Sequence, residues 1–168
     1  ESGDGSSALG AMKQIAQFAP AATSNALSGF ISAPRLASGQ FHFASMDRVV
    51  ANRTNFVFGI SMSSSRIANY EAINNGNLHG WVQGDGMTYL YMGKTETQFS
   101  GDFWPTIDPY HLPGTTVETN SHANAAGEAQ KTDQNWVGGA QVANTYGAAG
   151  MSMHSWNTTL FGKKSWFM

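Results

Sequence analysis

The sequence contains no cysteine and few charged residues. Its 168 residues include 9 Lys and Arg against 11 Asp and Glu, which gives a formal net charge of -2 and a charged fraction of 12%. Without cysteine, neither a disulfide framework nor a thiolate metal site can form. Without an excess of basic residues, the chain lacks the electrostatic field that holds nucleic acid or an anionic membrane surface. We therefore expect no nucleic acid and no membrane among its partners.

Long apolar runs and targeting segments are also missing. The sequence has no window of about 18 apolar residues, so it predicts no membrane-spanning helix. The first residues lack the basic and apolar regions of a secretory signal peptide, so any export signal would lie outside this chain. The pattern of alternating apolar residues at 161–168 stops without a turn or cap. We therefore expect an internal fragment of a longer protein, truncated within a strand at its C-terminus.

The apolar period is helical at the start of the chain. Residues 7–18 carry apolar side chains at helical spacing, and Pro20 ends that pattern. Residues 21–40 are rich in Ala, Ser, Gly and Pro, a composition typical of connecting segments. The sequence thus predicts a short helical part over 1–20 and a linker over 21–40.

From residue 41 onward, apolar and polar residues alternate with the period of two that half-buried strands require. The Asp85-Gly86 step predicts a tight hairpin that joins Trp81-Val82 to the strand-like residues 87–91. Residues 101–134 show little periodicity, and loops of that length in a small domain are usually functional or disordered. We therefore predict a mainly β domain over 41–168.

A polar and aromatic segment, 69–81, lies between two of the predicted strands. It combines one carboxylate with several amides, an imidazole and an indole, groups that suit a sugar-binding cleft. The residues concerned are Asn69, Tyr70, Glu71, Asn74, Asn75, Asn77, His79 and Trp81.

Each of these residues also has a structural interpretation. Glu71 could form a buried ion pair with Arg48 or Arg66. Asn74 and Asn77 could be turn residues, because Asn tolerates left-handed backbone conformations. Isolated aromatic residues in β proteins mostly pack in the core, which favours packing for Trp81 and also for Trp104.

Metal binding has weak support in the sequence. The 5 histidines show none of the paired spacings of a zinc site. Asp102 and Asp108 could bind calcium, but acidic residues beside Pro and Gly are more often turn formers. We therefore predict no metal ion and no cofactor.

Several ordered blocks closely resemble one known family, the polysaccharide lyases of family 8, which includes hyaluronate, chondroitin AC and xanthan lyases. The resemblance covers about 41–168 and is specific, because it rests on several motifs in order rather than on one short pattern. The blocks are Met46-Asp47-Arg48, Gly59 to Ile67 followed by Tyr70-Glu71, Leu112-Pro113-Gly114-Thr115-Thr116, and Lys163-Lys164-Ser165-Trp166-Phe167.

The resemblance implies an antiparallel β-sandwich, the start of the family's central domain, preceded by the last helical segment of an α/α toroid. It implies a secreted enzyme that binds an acidic polysaccharide between these domains, so this chain would pack against the helical catalytic domain of its parent protein. The family cleaves uronate-containing chains by β-elimination, using an Asn, a His and a Tyr from the helical domain. Those motifs have no match here, so we expect the chain alone to be inactive.

By resemblance, Glu71 and Asn74 match the Tyr-Glu-x-x-Asn positions that the family's central domain contributes to the cleft. They would support catalysis by orienting other catalytic side chains or the sugar. Asn77, His79 and Trp81 are the candidates for direct sugar contact. The family usually has Asn-Gly-Glu-Asn at 74–77, whereas this chain has Asn-Asn-Gly-Asn and lacks that second carboxylate. The alternative function is a non-catalytic carbohydrate-binding or scaffold sandwich.

Overall fold

Helices form the first part of the chain and strands form the rest. The structure is a computed structural model that describes residues 6–32, 38–93, 97–128, 130–156 and 158–168. Contacts between Cα atoms divide the chain into two units, 1–37 and 38–168. None of the helices in the described part of the chain has the length and apolar character that a membrane crossing needs.

The first unit contains two helices, α1 (Ser6–Phe18) and α2 (Ala21–Ser32). The hydroxyl of Ser24 in α2 donates a 2.7 Å hydrogen bond to the carbonyl oxygen of Ala16 in α1. The helix predicted at 7–18 is therefore confirmed.

The linker predicted over 21–40 is wrong for most of its length, because α2 occupies Ala21–Ser32. Ala has the highest helix propensity of all residues, and here it outweighs the Ser and Gly that suggested a loop. The linker prediction for 33–37 falls outside the described residues. The second unit begins at Ser38 and its first strand begins at Gly39, so the boundary also lies slightly before the predicted residue 41.

In the described part of the second unit, seven strands build two antiparallel sheets. The first sheet has the order β1-β2-β3-β4 and the second has the order β5-β6-β7, so consecutive strands are neighbours within each sheet. The strands are β1 (Gly39–Phe43), β2 (Arg48–Asn52), β3 (Phe56–Ser61), β4 (Met87–Met92), β5 (Val137–Val142), β6 (Tyr146–His154) and β7 (Phe161–Phe167). The prediction of a mainly β, antiparallel fold is confirmed.

The two sheets share one hydrophobic core. One buried cluster joins residues of both sheets. It contains Val49 and Ile60 of the first sheet, Met62, which directly follows β3, and Met151 and Met153 of β6. Met151 has 0% of its surface exposed, and Ile60 has 1%. At about 25 cal/mol per Å² of buried apolar area, side chains of this size each contribute roughly 1.5–3 kcal/mol. This shared core defines a β-sandwich.

A second buried cluster lies beneath the loops that join β3, β4 and β5. It contains six buried residues, with aromatic residues from the long 101–134 segment packed around them. The buried members are Tyr70, Ala72, Trp81, Val82, Met87 and Leu112. The long segment, whose described residues form one short helix, α3 (Phe103–Thr106), therefore covers a core of its own.

The hairpin predicted at Asp85-Gly86 is wrong. Residues 81–86 are turns, and β4 pairs with β3, where Phe58 lies opposite Leu90. The backbone N–H of Asp85 donates to the carbonyl oxygen of Val82 at 3.0 Å, which closes a local turn. A local Asp-Gly signal cannot reveal that β4 pairs with a strand about thirty positions earlier in the chain.

Candidate functional site

The segment 69–81 is a compact loop that bends sharply at two asparagines. A short 3₁₀ turn covers Ile73–Asn75, and Asn74 and Asn75 have φ angles of 52° and 60°. These are left-handed conformations, which Asn adopts more readily than most residues. The structure thus confirms the turn role predicted for Asn74. Its side chain is exposed, and so is that of Glu71.

The structure contradicts a buried ion pair for Glu71. Arg66 pairs with the carboxylate of Asp47, which also accepts a hydrogen bond from the hydroxyl of Ser64. Arg48 donates to backbone carbonyl oxygens instead, including that of Met62 at 2.8 Å. Both guanidinium groups therefore have partners elsewhere. Within the described residues, the exposed carboxylate of Glu71 has neither an ion pair nor a hydrogen bond.

The indole of Trp81 is a structural centre of the region, not a sugar contact. It is 3% exposed, and its N–H donates a 3.0 Å hydrogen bond to the carbonyl oxygen of Ala123. Its ring lies 5.3 Å from the rings of both Tyr110 and His122, measured between centroids. The prediction of direct sugar binding by Trp81 is therefore wrong, and the packing interpretation is confirmed. An indole buried on both faces has no surface left for a sugar ring.

His79 and Asn77 lie at the exposed side of the Trp81 cluster. The ring of His79 contacts that of Trp81 at 4.9 Å, and its Nε2 atom lies 2.9 Å from Oδ1 of Asn124. The side-chain oxygen of Asn77 accepts a 3.1 Å hydrogen bond from the backbone N–H of His79. Asn77 therefore shapes the turn, and the exposed His79 is the better placed of the two for contact with a ligand.

Residues 122–128 and Gln130 run alongside the loop 69–81 and hold it in place. The backbone N–H of Ala125 donates to Leu78 at 3.2 Å, and that of Asn69 donates to Gln130 at 2.8 Å. The carboxylate of Glu128 accepts a 2.6 Å hydrogen bond from the backbone N–H of Ala72, the residue after Glu71. The position of Glu71 thus depends on residues more than fifty positions away.

Tyr70 joins these two segments from the inside. Its hydroxyl donates to the carbonyl oxygen of Ala125, and burial, with a smaller effect from the carboxylate of Glu128, raises the pKa of that hydroxyl. Tyr70 therefore remains a neutral donor across the physiological range. Tyr110, His122, Asn124 and Glu128 also support the loop 69–81, and no local sequence pattern predicts that they do so. In the sequence, only the length of the aperiodic segment indicated that it could be functional.

Neither aspartate considered for calcium forms such a site. Asp108 accepts hydrogen bonds from the backbone N–H of Tyr110 at 2.9 Å and from His111 Nδ1 at 2.7 Å. These bonds lower the pKa of Asp108, first through the Tyr110 N–H and then through His111. Asp108 is thus a turn former, as expected. Across the described ranges, no group of three or more His, Asp or Glu residues could hold a metal ion.

The shared core and the loops over its end define a β-sandwich domain that carries a polar and aromatic loop region. Residues 38–168 match the family model described as polysaccharide lyase family 8, super-sandwich domain, and the chain belongs to that family. The resemblance found in the sequence motifs is therefore confirmed.

Individual members of the family agree with this assignment. The polysaccharide lyase 8 family protein HylA of Enterococcus faecalis is 45% identical over 131 residues, which cover 75% of this chain and 9% of HylA. Xanthan lyase of Paenibacillus superposes with a TM-score of 0.79 and 33% identity, over 96% of this chain and 18% of that enzyme. Streptomyces coelicolor chondroitin AC lyase, solved with chondroitin sulphate, gives a TM-score of 0.73 and 40% identity, over 89% and 21% of the two chains. The chain thus spans between 9% and 21% of the length of these three relatives.

Proposed function

We propose that the whole protein is a secreted polysaccharide lyase that cleaves a uronate-containing polysaccharide of the hyaluronan, chondroitin or xanthan type. The observation that carries this proposal is the exposed carboxylate of Glu71, which has no ion pair within the described ranges and lies on a loop that several long-range hydrogen bonds hold in place. A carboxylate that is held in position but not neutralised is available to another domain or to a substrate. The relatives' names and the chondroitin sulphate complex support an acidic polysaccharide as that substrate.

The chemistry of β-elimination sets the requirements. The C5–H bond of the uronate breaks and its proton passes to a general base, while the electron pair forms the C4=C5 double bond. The C4–O bond breaks, and the leaving oxygen takes up a proton from a general acid. Because C5–H is weakly acidic, donors must also neutralise the adjacent carboxylate in the transition state. Water is not consumed, and the product is a 4,5-unsaturated sugar.

This chain would supply positioning groups for that reaction. Glu71 would orient a cationic or hydroxyl side chain of the helical domain, and Asn74 would bind the sugar or the same side chains. His79 is exposed at the edge of the same loop and would contact the polymer. The helical domain of the same protein would provide the base and the acid. A polymer of this size does not cross membranes, which supports secretion of the enzyme.

Absorbance of the unsaturated uronate tests the proposal when the whole protein is offered hyaluronan, chondroitin and xanthan separately. We expect the band to grow with one polymer, and Glu71→Gln to lower kcat about tenfold or more while the melting temperature stays unchanged. Asp102→Asn is the matched control, because it removes another exposed carboxylate, at the start of α3. If no polymer produces the band, the lyase proposal is refuted and the alternative, a non-catalytic carbohydrate-binding sandwich, is favoured. If Glu71→Gln leaves the rate unchanged, Glu71 has no role in catalysis.

A further inference from the structure

A cavity of about 320 Å³ lies beside the loop that carries Glu71, and the proposed function does not use it. Ligand pockets in proteins range from about 300 to 1,000 Å³, so this one suits a single sugar ring rather than a length of polymer. Its lining includes Asn69, Lys131, Thr132, Asp133, His154 and Trp156. Asn69 stands two positions before Glu71, and the ring of Trp156 contacts that of Tyr70 at 5.7 Å. The cavity therefore borders the segment that positions Glu71.

One wall of the cavity is an ion pair with no net charge. His154 Nδ1 lies 2.9 Å from Oδ1 of Asp133, and Nε2 lies 3.2 Å from the carbonyl oxygen of Thr158. Both partners are acceptors, an arrangement that favours protons on both ring nitrogens, which is the imidazolium form. Burial lowers the pKa of His154, but the bonds to Asp133 and Thr158 together raise it above its ordinary value. The positive ring and the carboxylate of Asp133 cancel.

Lys131 leaves one positive charge in the lining. Within the described part of the chain, its ammonium group has no ion pair. The cavity therefore presents a single cation without a counter-charge, which fits a ligand with one negative group. A sugar unit with one carboxylate satisfies that requirement.

Asn69 offers a polar group at the same cavity. It is 7% exposed, and its amide nitrogen donates a 2.5 Å hydrogen bond to the carbonyl oxygen of Trp81. The side-chain oxygen of Asn69 (Oδ1) has no hydrogen-bond partner among the residues that the structure describes. That oxygen is therefore available to accept a hydrogen bond from a sugar hydroxyl. The half-buried Trp156 adds an aromatic surface for the ring.

We propose that this cavity binds one uronate unit of an acidic polysaccharide, with Lys131 pairing its carboxylate and Asn69 accepting a hydroxyl hydrogen bond. The polymer class rests on the proposed function, whereas the charge and size of the bound unit rest on the cavity itself. Bound there, the polymer would have one sugar anchored next to the loop of Glu71. Lys131 would then determine the affinity for the polysaccharide and would take no part in the elimination step.

The test uses an unsaturated hyaluronan disaccharide, which carries one carboxylate and cannot undergo a second elimination. NMR titration of the chain follows the indole N–H of Trp156 and the ring of His154. We expect both signals to shift, and Lys131→Gln to weaken the affinity about tenfold, since a hydrogen bond to a charged group contributes about 1.5–3 kcal/mol. The methyl ester of the disaccharide should bind the unchanged chain and Lys131→Gln equally weakly. Lys163→Gln is the matched control, because it removes an exposed lysine of β7 that does not line the cavity.

Three results would overturn the inference: no shift at Trp156 or His154, equal affinities for the acid and its ester, or no effect of Lys131→Gln. A sulphated methyl ester that binds as well as the acid would also overturn it, because the cavity would then select any anion. Activity of the whole protein separates the two proposals. If the whole protein is an active lyase but the disaccharide does not bind at Lys131, the proposed sugar site in the cavity is refuted and the proposed function stands. If the disaccharide binds in a way that depends on Lys131 but the whole protein has no lyase activity, the proposed function is refuted and the sugar site stands.

Discussion

The hydroxyl of Ser155 donates a 2.5 Å hydrogen bond to Oδ2 of Asp85, a residue 70 positions earlier in the chain. Both residues are 2% exposed. Asp85 lies in the turn that leads into β4 of the first sheet, and Ser155 follows the end of β6 in the second. This buried polar bond therefore ties the two sheets together at the end where the candidate site lies.

The buried carboxyl of Asp85 should make stability depend on pH. Burial raises its pKa from 3.8 to about 6, against the opposing effects of Ser155, Lys164 and His154. The native state thus keeps a proton that the unfolded state loses, so this contribution to stability is complete below pH 3.8 and is lost as the pH rises through about 6. At 1.36 kcal/mol per pKa unit, the loss amounts to about 3 kcal/mol.

Asp85→Asn should remove that loss, because the amide stays neutral and its oxygen still accepts from Ser155. Urea unfolding at a series of pH values should find the variant more stable than the unchanged protein above pH 6 and close to it near pH 4. Asp102→Asn is the control at an exposed aspartate. A constant difference between Asp85→Asn and the unchanged protein across this range would contradict the prediction.

Trp81→Ala should unfold the loop region. The substitution leaves a large cavity among Tyr110, His122 and His79 and frees the carbonyl oxygen of Ala123, so we expect a loss of about 3–5 kcal/mol. Trp104→Ala changes a tryptophan that is 38% exposed and should cost much less. Chemical denaturation of the two variants provides the comparison. Equal denaturation midpoints would show that Trp81 does not centre this core.

Asn74→Gly should distinguish a contribution of the Asn74 side chain to activity from the contribution of its backbone to the turn. Glycine adopts the φ angle of 52° without strain, so the turn should persist, while the side chain is lost. We expect lyase activity of the whole protein to fall about tenfold, the effect of one hydrogen bond, with little change in melting temperature. Asn75→Gly makes the same exchange at a φ angle of 60° and should leave the rate unchanged. If both variants keep full activity, Asn74 serves the turn alone.

Gly127→Ala should displace the segment 122–128. A Cβ atom there would lie 2.3 Å from the ring of Tyr70 and 2.5 Å from its carbonyl oxygen, so one segment must move. We expect a loss of about 1–3 kcal/mol from overpacking and a lower lyase rate, because Glu71 follows Tyr70 directly. Gly29→Ala in α2 meets no atom within 4 Å and should be neutral or stabilising. Thermal unfolding and initial rates of both variants test this, and equal melting temperatures would refute it.

The strands were predictable because their information is local. Alternation at Phe56–Ser61 and Met87–Met92 follows from one face packing on the core, and both strands form where the pattern placed them. The same reasoning fails for the Asp85-Gly86 step and for α2. A turn signal does not say which strand pairs with which, and a composition of Ala and Ser allows either a helix or a loop.

The candidate site was predictable only in part for the same reason. Glu71, Asn74 and His79 stand out within a short polar segment, and the structure leaves all three exposed. The bonds that hold them come from Asn124, Ala125 and Glu128, in a segment without periodicity. Long-range bonds to backbone atoms leave no pattern in a sequence, so neither the burial of Trp81 nor the support from this segment could be foreseen.

The bonds of Ala125 to Leu78 and of Asn69 to Gln130 join backbone atoms only. They place few demands on which amino acids occupy the two segments. Mutation during evolution can therefore exchange outward side chains such as those of Asn124 and His79 while the two segments keep their alignment. Members of the family can thus vary the exposed side chains of this region without rebuilding either sheet.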